Sequence, residues 1–258
     1  ISSGGFLIVN NINEILQSDF QIYVFSLTML ISFFGILLPY NILFLKKKDI
    51  FVFTEDFYLL IYFIILVAIF FIFFNQSNKF SITFFSMISS ISNIGFTFDL
   101  KNQNSFIFLI LVIIGGSLVS TSSGLRFFKI FLLTKFSFNE LVSHTKPKQI
   151  LLNKTLFSKV KIDLNDINKY FFTIIIFILS LTTLTSLLTL FNFEFESAFK
   201  LAILTLMNTV NSSLHGLDYL NFSEFSFFLK IILAIFMIIG RIEFITILIL
   251  IKKFVFKN

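Results

Sequence analysis

The chain has 258 residues, of which 57% are hydrophobic and 13% charged, with a formal net charge of +6 and no cysteine. A mean hydropathy of +0.95 excludes a soluble domain around one large core and defines an integral membrane protein. The missing cysteines exclude disulfides, thiol catalysis and thiolate-bound metal, and the lysines cluster between apolar segments, which ties the positive charge to orientation in a bilayer and not to nucleic acid.

The chain opens with Ile1-Ser2-Ser3-Gly4-Gly5-Phe6, a polar, glycine-bearing run that reads as the return strand of a pore loop. A pore loop needs its own helix, so one is expected upstream of residue 1. Residues 20–45 are predicted to span the bilayer, with Pro39 near the end, and Lys46-Lys47-Lys48 assigns that end to the cytoplasm. Residues 57–74 form a lipid-facing span that leads back outside.

Residues 80–99 are the centre of the pattern. The apolar run 80–91 makes a helix of roughly 18 Å, too short for a hydrocarbon core of about 30 Å. It ends in Ser92-Asn93-Ile94-Gly95-Phe96, and irregular backbone at membrane depth persists only where protein or water surrounds it. Taken alone, this stretch fits a re-entrant pore loop and an amphipathic surface helix equally well. Recurrence favours the pore loop. Ser3-Gly4-Gly5-Phe6 aligns with Asn93-Ile94-Gly95-Phe96, and a third copy lies at 197–212, a short helix over 198–207 followed by Asn208-Thr209-Val210-Asn211-Ser212.

Residues 106–134 begin as an apolar helix and resume as one, but between them lies Gly115-Gly116-Ser117-Leu118-Val119-Ser120-Thr121-Ser122-Ser123-Gly124. Such a run weakens a helix and frees backbone groups that need partners. A helix broken in mid-membrane beside an aqueous pathway accounts for it better than a small-residue contact face, which usually places small residues four apart. Residues 135–169 are lysine-rich and read as a cytoplasmic connector, with His144 as a surface residue. Residues 170–191 span outward and 225–251 span back, ending at Lys252-Lys253. In the middle of the last span lies Gly240-Arg241-Ile242-Glu243, and ionisable groups at that depth face a partner or an aqueous cavity. Arg126, Lys129 and Lys230 lie nearer span ends and are expected to snorkel.

These motifs carry a resemblance to the Trk/Ktr/HKT superfamily of potassium transporters, most closely the bacterial Trk membrane subunit. The family's second filter reads STGGF, similar to Ser2–Phe6, and its third reads TTGF or TTGY, similar to Asn93–Phe96. Its third inner helix carries GGxxGSTxGGIKxxR, similar to the run from Gly115 to Lys129, and its last helix carries GRLE, similar to Gly240–Glu243. Glu140–His144 also resembles the family's cytoplasmic segment.

The resemblance implies an all-α integral membrane protein of repeated span–pore-loop–span units arranged pseudo-symmetrically around a central pore. Residues 1–48 would end a second repeat, 49–135 form a third with its pore loop at 80–99, and 170–258 form a fourth with its loop at 197–217, after the connector at 136–169. The first repeat would lie upstream. It further implies monovalent cation uptake, of potassium or of sodium, with no bound cofactor and no enzymatic activity. The filter would comprise Ser2, Ser3, Gly4 and Gly5, then Ser92, Asn93, Ile94 and Gly95, then Asn208, Thr209, Val210 and Asn211. At the fourth filter position Asn211 replaces glycine, a change associated with sodium permeation in plant relatives. The gate would comprise Gly115, Gly116, Ser120, Thr121, Ser122, Ser123 and Gly124 together with Arg241. Implied partners are a cytoplasmic nucleotide-binding regulatory subunit and a second copy of the membrane subunit, in the inner membrane. The alternatives are a non-conducting fragment and a membrane subunit of a proton-translocating energy-coupling complex; the second leaves the recurring loops unexplained.

Overall fold

The computed structural model describes residues 12, 15–34, 50–74, 80–96, 98, 105–117, 120, 122, 124–145, 164–209, 215–217 and 220–241. Helix α1 (Asp19–Phe34) starts at a capping box. The Gln21 amide donates to Ser18 Oγ at 3.3 Å, while the amides of Gln17 and Ser18 donate to Gln21 Oε1 at 3.0 and 3.2 Å. Helix α2 (Ile50–Phe74) follows, with Ile64, Ile65, Phe71 and Ile72 all more than half exposed.

Helix α3 (Phe80–Ser92) is the short one the sequence predicts, and from Phe85 to Ser92 every residue is buried. Three of its serines tolerate burial because their hydroxyls bond back into the helix: Ser86 to the Ile82 carbonyl at 3.0 Å, Ser90 to Ser86 at 2.8 Å and Ser92 to Ile88 at 2.7 Å. Ser81 Oγ donates to Asp19 Oδ1 at 2.9 Å and joins the starts of α1 and α3.

Helix α4 (Ser105–Ile113) stops where the glycines begin. The chain leaves it as β1 (Ile114–Gly115) and returns as β2 (Leu125–Arg126), paired in parallel with Ile114 against Leu125 and Gly115 against Arg126. Helix α5 (Phe127–Thr145) then runs on ten residues into the stretch read from sequence as a connector, so the helix outlasts the apolar run. Helix α6 (Leu164–Leu190) contains Ile167–Leu190, which among the described residues meets the length and hydropathy of a membrane span.

After a turn at Asn192 comes the second short helix, α7 (Phe195–Leu206). In its first turns Lys200 donates to Glu196 at 2.6 Å, and this bond with its charge holds the Glu196 carboxyl below the usual carboxylate range. A 3-10 turn (Phe222–Glu224) leads to α8 (Phe227–Arg241), where Ser226 Oγ accepts from the Leu229 amide at 3.3 Å. The far ends of the spans predicted at 20–45 and 225–251 lie outside the described residues.

Two apolar clusters hold the helices together. One joins Met29 and Phe33 of α1, Leu59 and Phe70 of α2, and Phe85 and Ile88 of α3. The other joins Leu184 and Leu188 of α6, Leu201 and Leu204 of α7, and Leu229 and Leu233 of α8. Helix α4 is their common wall: Phe108 and Leu111 enter the first cluster, and Leu109 and Val112 the second. A three-residue step keeps each pair on one helix face, so a helix apolar all round serves both sides. The outward residues are also apolar, including Ile178, Leu179, Phe227 and Phe228, which suits a hydrocarbon surrounding.

Candidate functional site

The two short helices end alike. At the end of α3, Asn93 has φ 56°, its amide donates to the Ser90 carbonyl at 3.3 Å, and the Ile94 amide donates to Ser89 at 3.2 Å. At the end of α7, Asn208 has φ 54°, its amide donates to Thr205 at 3.1 Å, and the Thr209 amide donates to Leu204 at 2.9 Å. Both are Schellman caps with asparagine in the left-handed position, which asparagine occupies at less cost than other side chains bearing a Cβ. Beyond the first cap, Gly95 turns the backbone again at φ 87°.

The caps also set a register between the two loops. They match Asn208 with Asn93 and Thr209 with Ile94, while sequence comparison matches Asn211 with Gly95. Val210 and Asn211 lie outside the described residues, as do Ser2, Ser3, Gly4, Gly5, Thr121, Ser123 and Glu243.

Both caps reach the same glycine of the interrupted helix. Gly124 has φ 101°, and a Cβ placed on it would lie 2.9 Å from Met207 Sδ and 3.3 Å from Asn93 Nδ2. Met207 is the last residue before the α7 cap, and Asn93 is the α3 cap itself. Side chains from the carboxyl ends of the two short helices therefore reach the same glycine of the Gly/Ser loop. Each such end carries about half a negative charge from aligned peptide dipoles, which favours a cation near it.

The loop is ordered by its own backbone groups. The Ser117 amide donates to the Phe33 carbonyl at 3.1 Å, satisfying an acceptor at the end of α1, and the Phe127 amide donates to Gly116 at 3.2 Å. The Gly116 amide donates to Ser122 Oγ at 2.9 Å, and the Ser120 and Ser122 hydroxyls share a hydrogen bond of 2.7 Å. A Cβ at Gly116 would collide with the Phe33 carbonyl. The segment is thus both a broken helix and a close contact with α1, so the two readings of its small residues hold together.

Arg126 does not snorkel. Its Nη1 lies 3.1 Å from the Ser117 carbonyl, 3.1 Å from the Ser120 carbonyl, 3.0 Å from Ser120 Oγ and 2.9 Å from the Ser122 carbonyl. The freed carbonyls of the interrupted helix offer it nearer partners than the membrane surface does. Lys129 is buried as well, with Nζ 5.9 Å from the centre of the Tyr170 ring, whereas Lys230 is exposed and donates to the Ser223 carbonyl at 2.8 Å.

Helix α8 joins the site through main chain. Asn208 Nδ2 donates to the Met237 carbonyl at 2.9 Å, and Gly240 lies so close to Leu206 that a Cβ would strike the Leu206 carbonyl. Arg241 is the next residue and the last one described in α8, so its backbone is held beside the carboxyl end of α7.

Of the expected filter and gate residues that are described, Ser92, Asn93, Ile94, Gly95, Asn208 and Thr209 lie at the two caps, and Gly115, Gly116, Ser120, Ser122 and Gly124 lie in the loop that meets them. Sequence reasoning overlooked Met207 and the bonding of Arg126. It also did not foresee that Asn93 and Asn208 cap the two short helices. The usable signal was an asparagine directly after each short helix rich in small and hydroxyl residues.

Short helices that are buried over their carboxyl-terminal halves and end in left-handed turns beside a broken helix define an all-α membrane protein with re-entrant loops. In particular, the fold is similar to that of the potassium transporter TrkH from Vibrio parahaemolyticus, with a TM-score of 0.78 at 20% sequence identity. The likeness covers 91% of this chain and 52% of that one, so the chain spans about half the length of its structural relative. No protein-family model matches the sequence, and neither does any curated protein.

Proposed function

We propose that the chain forms part of a pathway for monovalent cation uptake, chiefly of potassium, across the cell membrane. The observation that carries this is the pair of short helices with the same left-handed asparagine cap, each with a side chain at its carboxyl end against Gly124. Backbone carbonyls in the returns after Asn93 and Asn208 replace the ion's hydration shell, and the two helix ends stabilise the bare charge. The Gly/Ser loop from Gly115 to Gly124, with Arg241, forms the barrier to flow. Similarity to a potassium transporter supports this reading, which extends to multi-pass insertion in the inner membrane, a cytoplasmic nucleotide-binding regulatory partner and a dimer of membrane subunits.

The test is tracer uptake of rubidium and sodium by the full chain in proteoliposomes. Rubidium uptake exceeding sodium uptake is expected. Gly95→Asp places a charged side chain at φ 87° and is expected to abolish the preference. Normal discrimination in that variant would remove Gly95 from the filter, and a folded chain that passes neither ion would overturn transport itself.

A further inference from the structure

Beyond Gly95 the return that follows α3 is held by rings. Phe96 and Phe98 are both buried, and each meets a different partner in the first apolar cluster. The Phe96 ring lies 5.6 Å from that of Phe25 in α1, tilted by 56°. The Phe98 ring meets Phe85 of α3 edge-on at 4.9 Å. Phe25 and Phe85 in turn stack on each other at 6.0 Å and 25°. Four rings therefore form one series, Phe96–Phe25–Phe85–Phe98, with its ends in the return and its middle in two helices. At these separations aromatic pairs attract beyond the area they bury. Gly95, at φ 87°, has no side chain to fix the direction the backbone takes next. The rings that follow it supply that direction.

We propose that Phe25 and Phe85 form an aromatic clasp that positions Gly95 and Phe96, and that Phe25 thereby sets which alkali cation the loop prefers. A phenyl ring is rigid, and a close-packed interior passes its displacement to the groups it touches. A site built from oxygens tells one alkali ion from another by where those oxygens stand, so whatever holds the backbone also tunes the choice. Phe25 is the ring of the four that is only half-buried, and it is a positioning residue on a helix outside the loop itself. That its loss alters ion preference rests on the proposed function; that the rings hold the return does not.

The experiment compares Phe25→Leu with Phe70→Leu in the full chain. Phe70 of α2 meets Phe108 of α4 at 5.5 Å in the same cluster, so its variant loses a core ring on the other side of the bundle from Phe25. Hydrogen exchange in detergent, followed by mass spectrometry on a peptide containing Gly95 and Phe96, reads the clasp without any flux. Exchange is expected to be severalfold faster in Phe25→Leu, and unchanged in Phe70→Leu and in Phe25→Tyr, which keeps the ring. In proteoliposomes the ratio of rubidium to sodium uptake is expected to fall severalfold in Phe25→Leu alone. Equal exchange in Phe25→Leu and Phe70→Leu would overturn the clasp. Faster exchange with an unchanged uptake ratio would overturn the part Phe25 plays in ion choice. If Phe25→Leu fails to fold, Phe25→Met removes the ring at nearly constant volume, with the same expectations and the same overturning results. A wild-type chain that passes neither ion would sink the transport reading, while exchange still decides the clasp.

Discussion

At the residue scale, the asparagines at 93 and 208 do the work usually left to glycine. A non-glycine residue in left-handed backbone costs about 1–2 kcal/mol, and asparagine reduces this by local hydrogen bonding. Asn208 adds a second contribution through its bond to Met237, for which side-chain hydrogen bonds between membrane helices suggest about 0.6 kcal/mol. Two substitutions separate the terms. Asn208→Gly keeps the turn and loses the bond, so a loss of about 0.6 kcal/mol is expected. Asn208→Ala loses both and is expected to cost a further 1 kcal/mol or so. Thermal unfolding in detergent measures the difference, and equal midpoints for the two variants would show that backbone strain is not a factor. Much of this was legible: each short helix runs directly into an asparagine. The bond from Asn208 to Met237 was not, because it joins residues 29 apart in the chain.

At the scale of elements, each short helix is positioned by a neighbour that approaches very closely. Gly116 admits the end of α1 to the loop, and Gly240 admits the main chain of α8 to the last carbonyl of α7. Gly240→Ala sets two effects against each other. Alanine favours a helix over glycine by about 1 kcal/mol, but its methyl must share space with the Leu206 carbonyl. A main-chain carbonyl cannot swing aside as a long side chain can, and overpacking costs about 1–3 kcal/mol. Net destabilisation is therefore expected, together with separation of α7 from α8; calorimetry in detergent checks the first and disulfide trapping across the contact checks the second. A variant more stable than wild type would show that α8 is free to move. The sequence marked Gly240 through its neighbours Arg241 and Glu243, but gave no sign of which helix the glycine meets. That depends on a contact between residues 34 apart in the chain.

At the scale of the whole molecule, the interrupted helix divides two similar bodies and touches the carboxyl end of the short helix in each. Under the proposed function, a barrier built there would act on both loops at once. Arg241, one residue past the contact of α8 with α7, is expected to contribute repulsion to that barrier. Arg241→Ala in the full chain should therefore raise rubidium flux severalfold in proteoliposomes; unchanged flux would take Arg241 out of the gate. The sequence by itself determined the membrane class, the short helices and the broken one, because hydropathy, helix length and runs of glycine and serine are local properties that the bilayer reads segment by segment. It could not determine that side chains from both helix ends reach Gly124, nor that Arg126 turns inward to the carbonyls of its own loop. Those outcomes depend on where distant segments come to lie, and only the tertiary structure, by burying α3 and α7 against the two faces of α4, decided them.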